Sequence, residues 1–402
     1  MDAPSARRRG AAAAAIAAGV TVSGSLPAFL TGGLSVQIRE DLGFSAALLG
    51  LAVAVYFGVS AAGSAYMGRS ALRIGLDRSA GLAAGGTAVA MLVAAAAPSY
   101  GVLVVAMAMA GIANAMAQPS ANGLLIRDVP ESWRALSFGI KQSAVPTATL
   151  LGGLAVPVVA LTIGWRWAYV FAAAGALIVA AGAWRRGSAA SAGGEAEERD
   201  GRPLEYLPLL VLAASAALGA AAASTLGTFV TASAVNLGVG EAAAGLLLAM
   251  GSALGIGMRL ASGWYSDRNP RDPLTLVVAL LAGGTAGYAL MAAQAVPLFV
   301  PGVALAFALG WSWPAMFHFA VSRRYGAAAA AATGVTQSGV YVGGVVGPIA
   351  FGLIAEHLSY GAAWAAAGLS CGLAAAGMAL GRWMLAQRPG RRTVLPAADE
   401  LR

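Results

Sequence analysis

Charge is what this 402-residue chain has least of: 10% of its residues are charged, 59% are hydrophobic, and the mean hydropathy is +0.74. A soluble domain carries about 25% charged residues, so a water-solvated globule is excluded. The single cysteine, Cys371, rules out an intrachain disulfide and a cysteine-built metal site, leaving a buried inert thiol as the expectation. None of the 17 acidic residues falls in the middle of an apolar run. No zinc-binding H-E-x-x-H and no phosphate-cradling loop with a lysine is present, which excludes a recognisable ATP-driven pump. Gly368-Leu369-Ser370-Cys371-Gly372 fits the G-x-S-x-G pattern but sits within an apolar run, without the strand–turn–helix context that gives the pattern meaning. No catalytic residue, cofactor or metal is expected.

What the chain has instead is two sets of six long apolar runs. They cover roughly 11–36, 45–68, 79–97, 101–126, 135–161 and 165–184, then 206–232, 240–263, 274–294, 298–322, 327–355 and 360–384. Each is long enough to cross a ~30 Å hydrocarbon core as a helix. Continuous rather than alternating hydrophobicity argues against strands, and lipid requires a segment to satisfy its own backbone polar groups. The second set repeats the first at a constant shift of 195 residues: Gly24 and Gly219, Gly32 and Gly227, Leu42-Gly43 and Leu237-Gly238, Gly50 and Gly245. The polar pairs weigh most, namely Arg73 and Arg268, Asp77 and Asp272, Pro119 and Pro314, and Gln142-Ser143 and Gln337-Ser338. The expected fold is therefore all-α, twelve transmembrane helices in two pseudo-symmetric six-helix bundles. Residues 1–184 form the first bundle, 185–205 a flexible polar linker, 206–385 the second bundle and 386–402 a tail.

The net charge of +8 suggests nucleic acid only until its placement is read. With the N-terminus inside, nearly every arginine lies on inner segments; Arg39 and Arg166 alone fall outside. This is the positive-inside pattern. It places both termini in the cytoplasm of a bacterial-type inner membrane and leaves no role for nucleic acid. Arg7-Arg8-Arg9 before an alanine-rich run imitates a secretory signal. Its counterpart at 206–232 argues against cleavage, which would leave the first half one helix short. Gly251-x-x-x-Gly255 and Gly343-x-x-x-Gly347 read as packing seams. Prolines at 27, 119, 146, 157, 301, 314 and 348 remove backbone donors and predict kinks.

Two connecting segments carry a motif. After the second span stand Gly68, Arg69, Leu72, Arg73, Gly75 and Asp77; after the eighth stand Gly263, Asp267, Arg268, Arg271 and Asp272. With six plus six spans, a central linker and the repeat, the chain over about 11–385 resembles the major facilitator superfamily. The second copy of its loop signature is well matched, and the first has Leu72 where the family usually has Asp. The resemblance implies an alternating-access carrier in which Gly68, Arg73, Gly263, Asp267, Arg268 and Arg271 form an inner latch, one-sided here. The fifth span begins near residue 135, and Asp267 set against that helix start would be favoured by ~0.3–1 kcal/mol.

Candidate binding residues lie inside the spans. Lys141 is the only lysine and the one charge well within a run, about 9 Å along its helix from residue 135 at 1.5 Å per residue. It either snorkels to the inner surface or faces a water-filled path, where ionisable residues within spans are usually found. Gln142 follows it, about 100° round the helix. Asn114, Gln118 and Asn122 recur at four-residue steps and predict one interior-facing stripe, serving substrate or a structural network. Trp311, His318, Gln337 and Tyr341 complete the set. The absence of a buried carboxylate disfavours a carrier of cations. The reading is a secondary carrier, as a monomer, of a small anionic or polar organic solute, with Lys141 or His318 available for proton coupling. A proton-driven exporter of hydrophobic compounds is the alternative, and a non-transporting sensor on the same scaffold is the other class to be tested.

Overall fold

The computed structural model describes residues 3–129, 137, 139–187, 205–269, 272–325 and 329–387; the linker at 188–204, Arg271 and the tail from 388 lie outside the described residues. Among the described residues all regular structure is helical, and twelve helices are long and apolar enough to span a membrane. The first six spans are α1 (Arg9–Gly33), α2 (Ala46–Ser64), α3 (Leu76–Ala95), α4 (Tyr100–Asp128), α5 (Gly139–Ile163) and α6 (Trp165–Arg186). The second six are α7 (Tyr206–Asn236), α8 (Glu241–Ser266), α9 (Pro273–Ala292), α10 (Val296–Tyr325), α11 (Ala332–His357) and α12 (Tyr360–Ala386).

Local chemistry sets the ends. Ser45 and Ser359 accept from the backbone N–H three residues on, at Leu48 and Ala362, and Asp272 accepts from Leu274 N at 3.0 Å, so each caps the start of a span. The repeated Leu-Gly pair has a backbone cause: Gly43 and Gly238 take φ of 66° and 85°, left-handed values that stop the preceding helix. Between α1 and α2 lies a short helix, Ser35–Leu42, that the run pattern does not predict. The helix of α2 continues to Ile74 and that of α8 to Arg268, so most of the motif read as loop is helical. Two spans are irregular. α5 is interrupted at Ser143, three residues before Pro146, and carries a π-helical turn, Val156–Ala160, around Pro157. α10 has a second π-helical turn, Ala306–Gly310, just before Trp311.

The repeat shows in the packing. Gly152 lies against the backbone of α1 at Phe29, and its counterpart Gly347 against the backbone of α7 at Ala221. Gly50 meets the carbonyl of Pro348 on α11, while its counterpart Gly245 meets Gly153 and Val156 on α5. The α2–α11 and α5–α8 contacts are thus equivalent under a pseudo-twofold that exchanges the halves, and Gly32 meets Gly227 between them. A Cβ at Gly153 would stand 2.5 Å from Gly245 O and 2.6 Å from Ala249 N. Only residues without side chains permit backbones this close, and in lipid such dispersion contact is what associates helices.

These seams lie at one end of the bundle, called here the far end. The opposite, basic end is where α1 begins and α12 finishes. Two polar contacts reinforce the far end: Gln37 donates to Glu241, and Ala47 N donates to the Glu356 carboxylate at 2.9 Å. At the basic end, ion pairs between described residues stay within one half. Asp77 is 3% exposed and bonded to Arg127 at 2.6 Å and Arg186 at 3.0 Å, and Asp128 joins both arginines. In the second half, Asp272 meets Arg382 at 3.0 Å, near the surface.

Candidate functional site

Four helices bring their polar side chains to the region between the halves. From α5, Lys141 is 5% exposed, and its Nζ donates to Gln118 Oε1 of α4 at 2.7 Å. Among the described residues it has no carboxylate partner. From α10, His318 Nδ1 lies 2.7 Å from the carbonyl of Pro314, and Nε2 lies 2.9 Å from Gln337 Oε1 of α11. A carbonyl only accepts, so Nδ1 carries its hydrogen. Nε2 then accepts from a turned Gln337 amide if the ring is neutral, or donates to the amide oxygen if it is a cation.

The amide stripe on α4 divides. Gln118 reaches Lys141, whereas Asn114 Nδ2 donates to Ser60 of α2 at 2.8 Å, and Ser60 in turn donates to the Gly111 carbonyl. Asn114 therefore lies within a helix-to-helix network of the first half, with its Oδ1 enclosed beside Gly24. Asn122 is half-buried and makes no hydrogen bond among the described residues. Tyr341 touches the other half at Ser64, with 3.5 Å between hydroxyls. The Trp311 ring packs 5.5 Å from Phe29 of α1 and 5.3 Å from Phe307, again bridging the halves.

Arg259 corrects the sequence reading, which counts it among the inner-surface arginines and leaves Lys141 the only charge well inside a span. It lies within α8, its Nη1 donating to the Gln142 carbonyl of α5 at 2.9 Å and its Nη2 to the Trp311 carbonyl of α10 at 2.8 Å. The part of Gln142 that is engaged is its main chain, for a reason written in the sequence. Pro146 stands four residues on and has no N–H, so the helix cannot satisfy the Gln142 carbonyl. One signal for Arg259 was available: it stands between Met258 and Leu260, with three residues still to go before Gly263.

The motif positions divide as well. Among the described residues a Cβ at Gly68 would meet nothing nearer than Pro119 at 3.9 Å, and at Gly263 nothing within 4 Å. Arg73 is exposed, and Arg268 lies over the Trp264 ring at 4.2 Å. The side chain of Asp267, all of Arg271 and the 130–136 segment lie outside the described residues, and with them the expected Asp267 latch. The serine of the G-x-S-x-G segment is on α12, donating to the Leu218 carbonyl at 2.9 Å.

Twelve spans in two exchangeable bundles, with ionisable side chains facing across the boundary, define the architecture of a secondary transporter. A family model described as Major Facilitator Superfamily matches residues 11–348, and the chain belongs to that superfamily. Its members bind small-molecule substrates and sit in the bilayer, which points to a carrier rather than an enzyme. No curated protein matches the sequence. Among solved structures, the chain is similar to a bacterial homolog of the human lysosomal transporter Spinster, inward-facing and occupied, with 15% identity, a TM-score of 0.70, and 96% of this chain and 97% of that one covered. It is similar also to the inward-facing, unoccupied form, with 15% identity, a TM-score of 0.68 and the same coverage. At that identity the likeness speaks for the fold alone.

Proposed function

We propose that the protein carries a small organic anion across a bacterial-type inner membrane by alternating access, as a monomer with both termini cytoplasmic. One observation carries this reading: Lys141 is buried against a neutral amide, with no carboxylate among the described residues to neutralise it. A buried charge is retained where something pairs with it during function, because leaving it unpaired costs several kcal/mol. An anion supplies that pairing. Gln118, Gln142, His318, Gln337, Trp311 and Tyr341 surround it in this reading, while Asn114 and Asn122 stand further off. With the termini inside, the far-end seams close the outer face, so the path opens inward. A proton accompanying the anion would ride on Lys141 or His318.

A second reading, export of hydrophobic compounds, is favoured by one feature. Ala61, Ser338, Tyr341, Val342, Val345 and Val346 line an apolar cleft between α2 and α11. Uptake of labelled carboxylates and of lipophilic cations into proteoliposomes, with and without a pH gradient, separates the two. Lys141→Ala is expected to lower kcat/KM for the best carboxylate at least tenfold, about the loss of one charged hydrogen bond. Intact anion transport by that variant refutes the assignment, and ligand binding without flux would indicate a sensor.

A further inference from the structure

Arg259 is a second cation between the halves, half-buried, and nothing in the proposed function uses it. Its guanidinium is held by two neutral main-chain oxygens, one from each half, at Gln142 and Trp311, and its Nε is enclosed without a partner. Among the described residues no Asp or Glu approaches it. Lys141 and Arg259 come from α5 and α8, whose contact is one of the two pseudo-equivalent seams, and Arg259 is bonded to the residue that follows Lys141. Two cations from opposite halves therefore stand at neighbouring positions, with no anion bonded to either among the described residues.

The nature of the two carbonyls matters. Gln142 O is available only because Pro146 cannot donate to it, and Trp311 O lies where the π-helical turn gives way to the last helix of α10. These are weak, neutral acceptors for a group whose planar fork matches a carboxylate. We propose that Arg259 is a specificity-determining residue that exchanges these carbonyls for the carboxylate head group of the substrate. This rests on the anion reading above and extends it. Lys141 contributes a point charge from the first half and Arg259 the two-pronged contact from the second. Binding then replaces the Arg259 tie between α8 and α5 with a tie through the substrate itself, so the carrier's inner contacts differ between loaded and unloaded forms.

The experiment is initial-rate uptake in proteoliposomes by wild type, R259K, R259Q and P146A, using a panel of mono- and dicarboxylates, inorganic phosphate and a lipophilic cation. R259Q is expected to raise KM for the best carboxylate about tenfold or more with kcat changed less than about threefold, as for losing a charged two-pronged contact. R259K keeps the charge without the fork and should recover part of that loss. P146A restores an N–H to the Gln142 carbonyl, removes the competitor, and should lower KM about threefold. If R259Q does not insert, R259K alone decides: its KM must rise at least about threefold. Carboxylate uptake by R259Q with KM within twofold of wild type overturns the assignment, as does a fall in kcat with KM unchanged. A KM that fails to fall in P146A overturns the exchange. Wild type that moves the cation or phosphate and no carboxylate overturns the substrate class itself, a result distinct from the others because it appears without any substitution.

Discussion

The two ends of the molecule hold together by different physics. At the far end the halves meet backbone to backbone, through Gly32 and Gly227, Gly50 and Pro348, Gly153 and Gly245, and Gly352 and Ala46. At the basic end the strong contacts are ionic and, among the described residues, remain inside each half, as in Asp77 with Arg127 and Arg186. The difference fits a rocking carrier. A seam of small residues can separate without leaving an unpaired charge in lipid, whereas a buried ion pair once broken costs 3–5 kcal/mol by general experience. Most contacts that must part are therefore dispersive, with Gln37 to Glu241 and Ala47 N to Glu356 as polar exceptions, while the ion pairs persist within each half.

The most damaging way to break this comparison is to add one methyl group to the seam. In Gly153→Ala the new Cβ would stand 2.5 Å from Gly245 O, and the neighbours are backbone, which cannot swing aside. Overpacking of this kind costs about 1–3 kcal/mol, all of it charged to the conformation closed at the far end. We expect transport to fall about tenfold and labelling from the far end to rise, since 1.4 kcal/mol is a factor of ten. Gly175→Ala on α6, with nothing within 4 Å of the added atom among the described residues, serves as the control and should leave both unchanged. Equal effects from the two substitutions would mean that the seam is not what closes this end.

The ionic end offers a sharper internal contrast, because Asp77 and Asp272 are the same position in the two repeats. Asp77→Asn leaves Arg127 and Arg186 beside a buried amide, and a loss of about 3 kcal/mol is expected. Asp272 and Arg382 are nearly half exposed, at 44% and 45%, and a pair of that kind is worth about 0–1 kcal/mol. Asn also keeps the cap on α9. Thermal unfolding of both variants in detergent measures the gap. Comparable shifts would show that repeat position rather than burial sets the strength.

These two ends also mark what the sequence reveals. Run length and the 195-residue shift suffice for twelve spans in two related bundles, because a bilayer leaves so few ways to satisfy a backbone. The pairing of Gly50 with Gly245 is visible as a repeat, but not that each faces the opposite half, since the shift says nothing about who packs on whom. Lys141 stands out because nothing near it is charged. Arg259 does not, because four residues from an expected span end it reads as one more inner arginine, and the carbonyl it seeks is exposed by a proline 113 positions earlier in the chain. Asn114 and Gln118 share a helical face, yet one bonds Ser60 and the other Lys141, a division that periodicity cannot express. The π-helical turns and the short helix Ser35–Leu42 lack a pattern of their own.

The smallest effect is expected from the ion pair of Asp41 with Arg166 at the far end, which tests how much a surface charge pair adds to the seam there. Asp41 accepts from Arg166 and from Trp165 Nε1, the latter at 3.1 Å, and Arg166 also reaches the Ala97 carbonyl. This pair lies within the first half, so it steadies the turn before α2 without joining the halves. The Arg166 guanidinium holds the Asp41 carboxyl below its ordinary value of 3.8, opposed by burial and helped to a lesser degree by the Trp165 N–H. A lowered folded value means the stabilisation is fully present above pH 3.8 and disappears as pH falls through the lower folded value. Both side chains are more than two-fifths exposed, at 42% and 43%, so solvent screening limits the pair to about 0.2–1 kcal/mol. Wild type should therefore melt slightly above Asp41→Asn at pH 7, with the difference shrinking as the buffer is taken below pH 3.8 and fading in high salt. A gap that stayed constant down to acid would assign the contact to shape rather than charge, and would leave the far end's electrostatics to the Glu241 and Glu356 contacts.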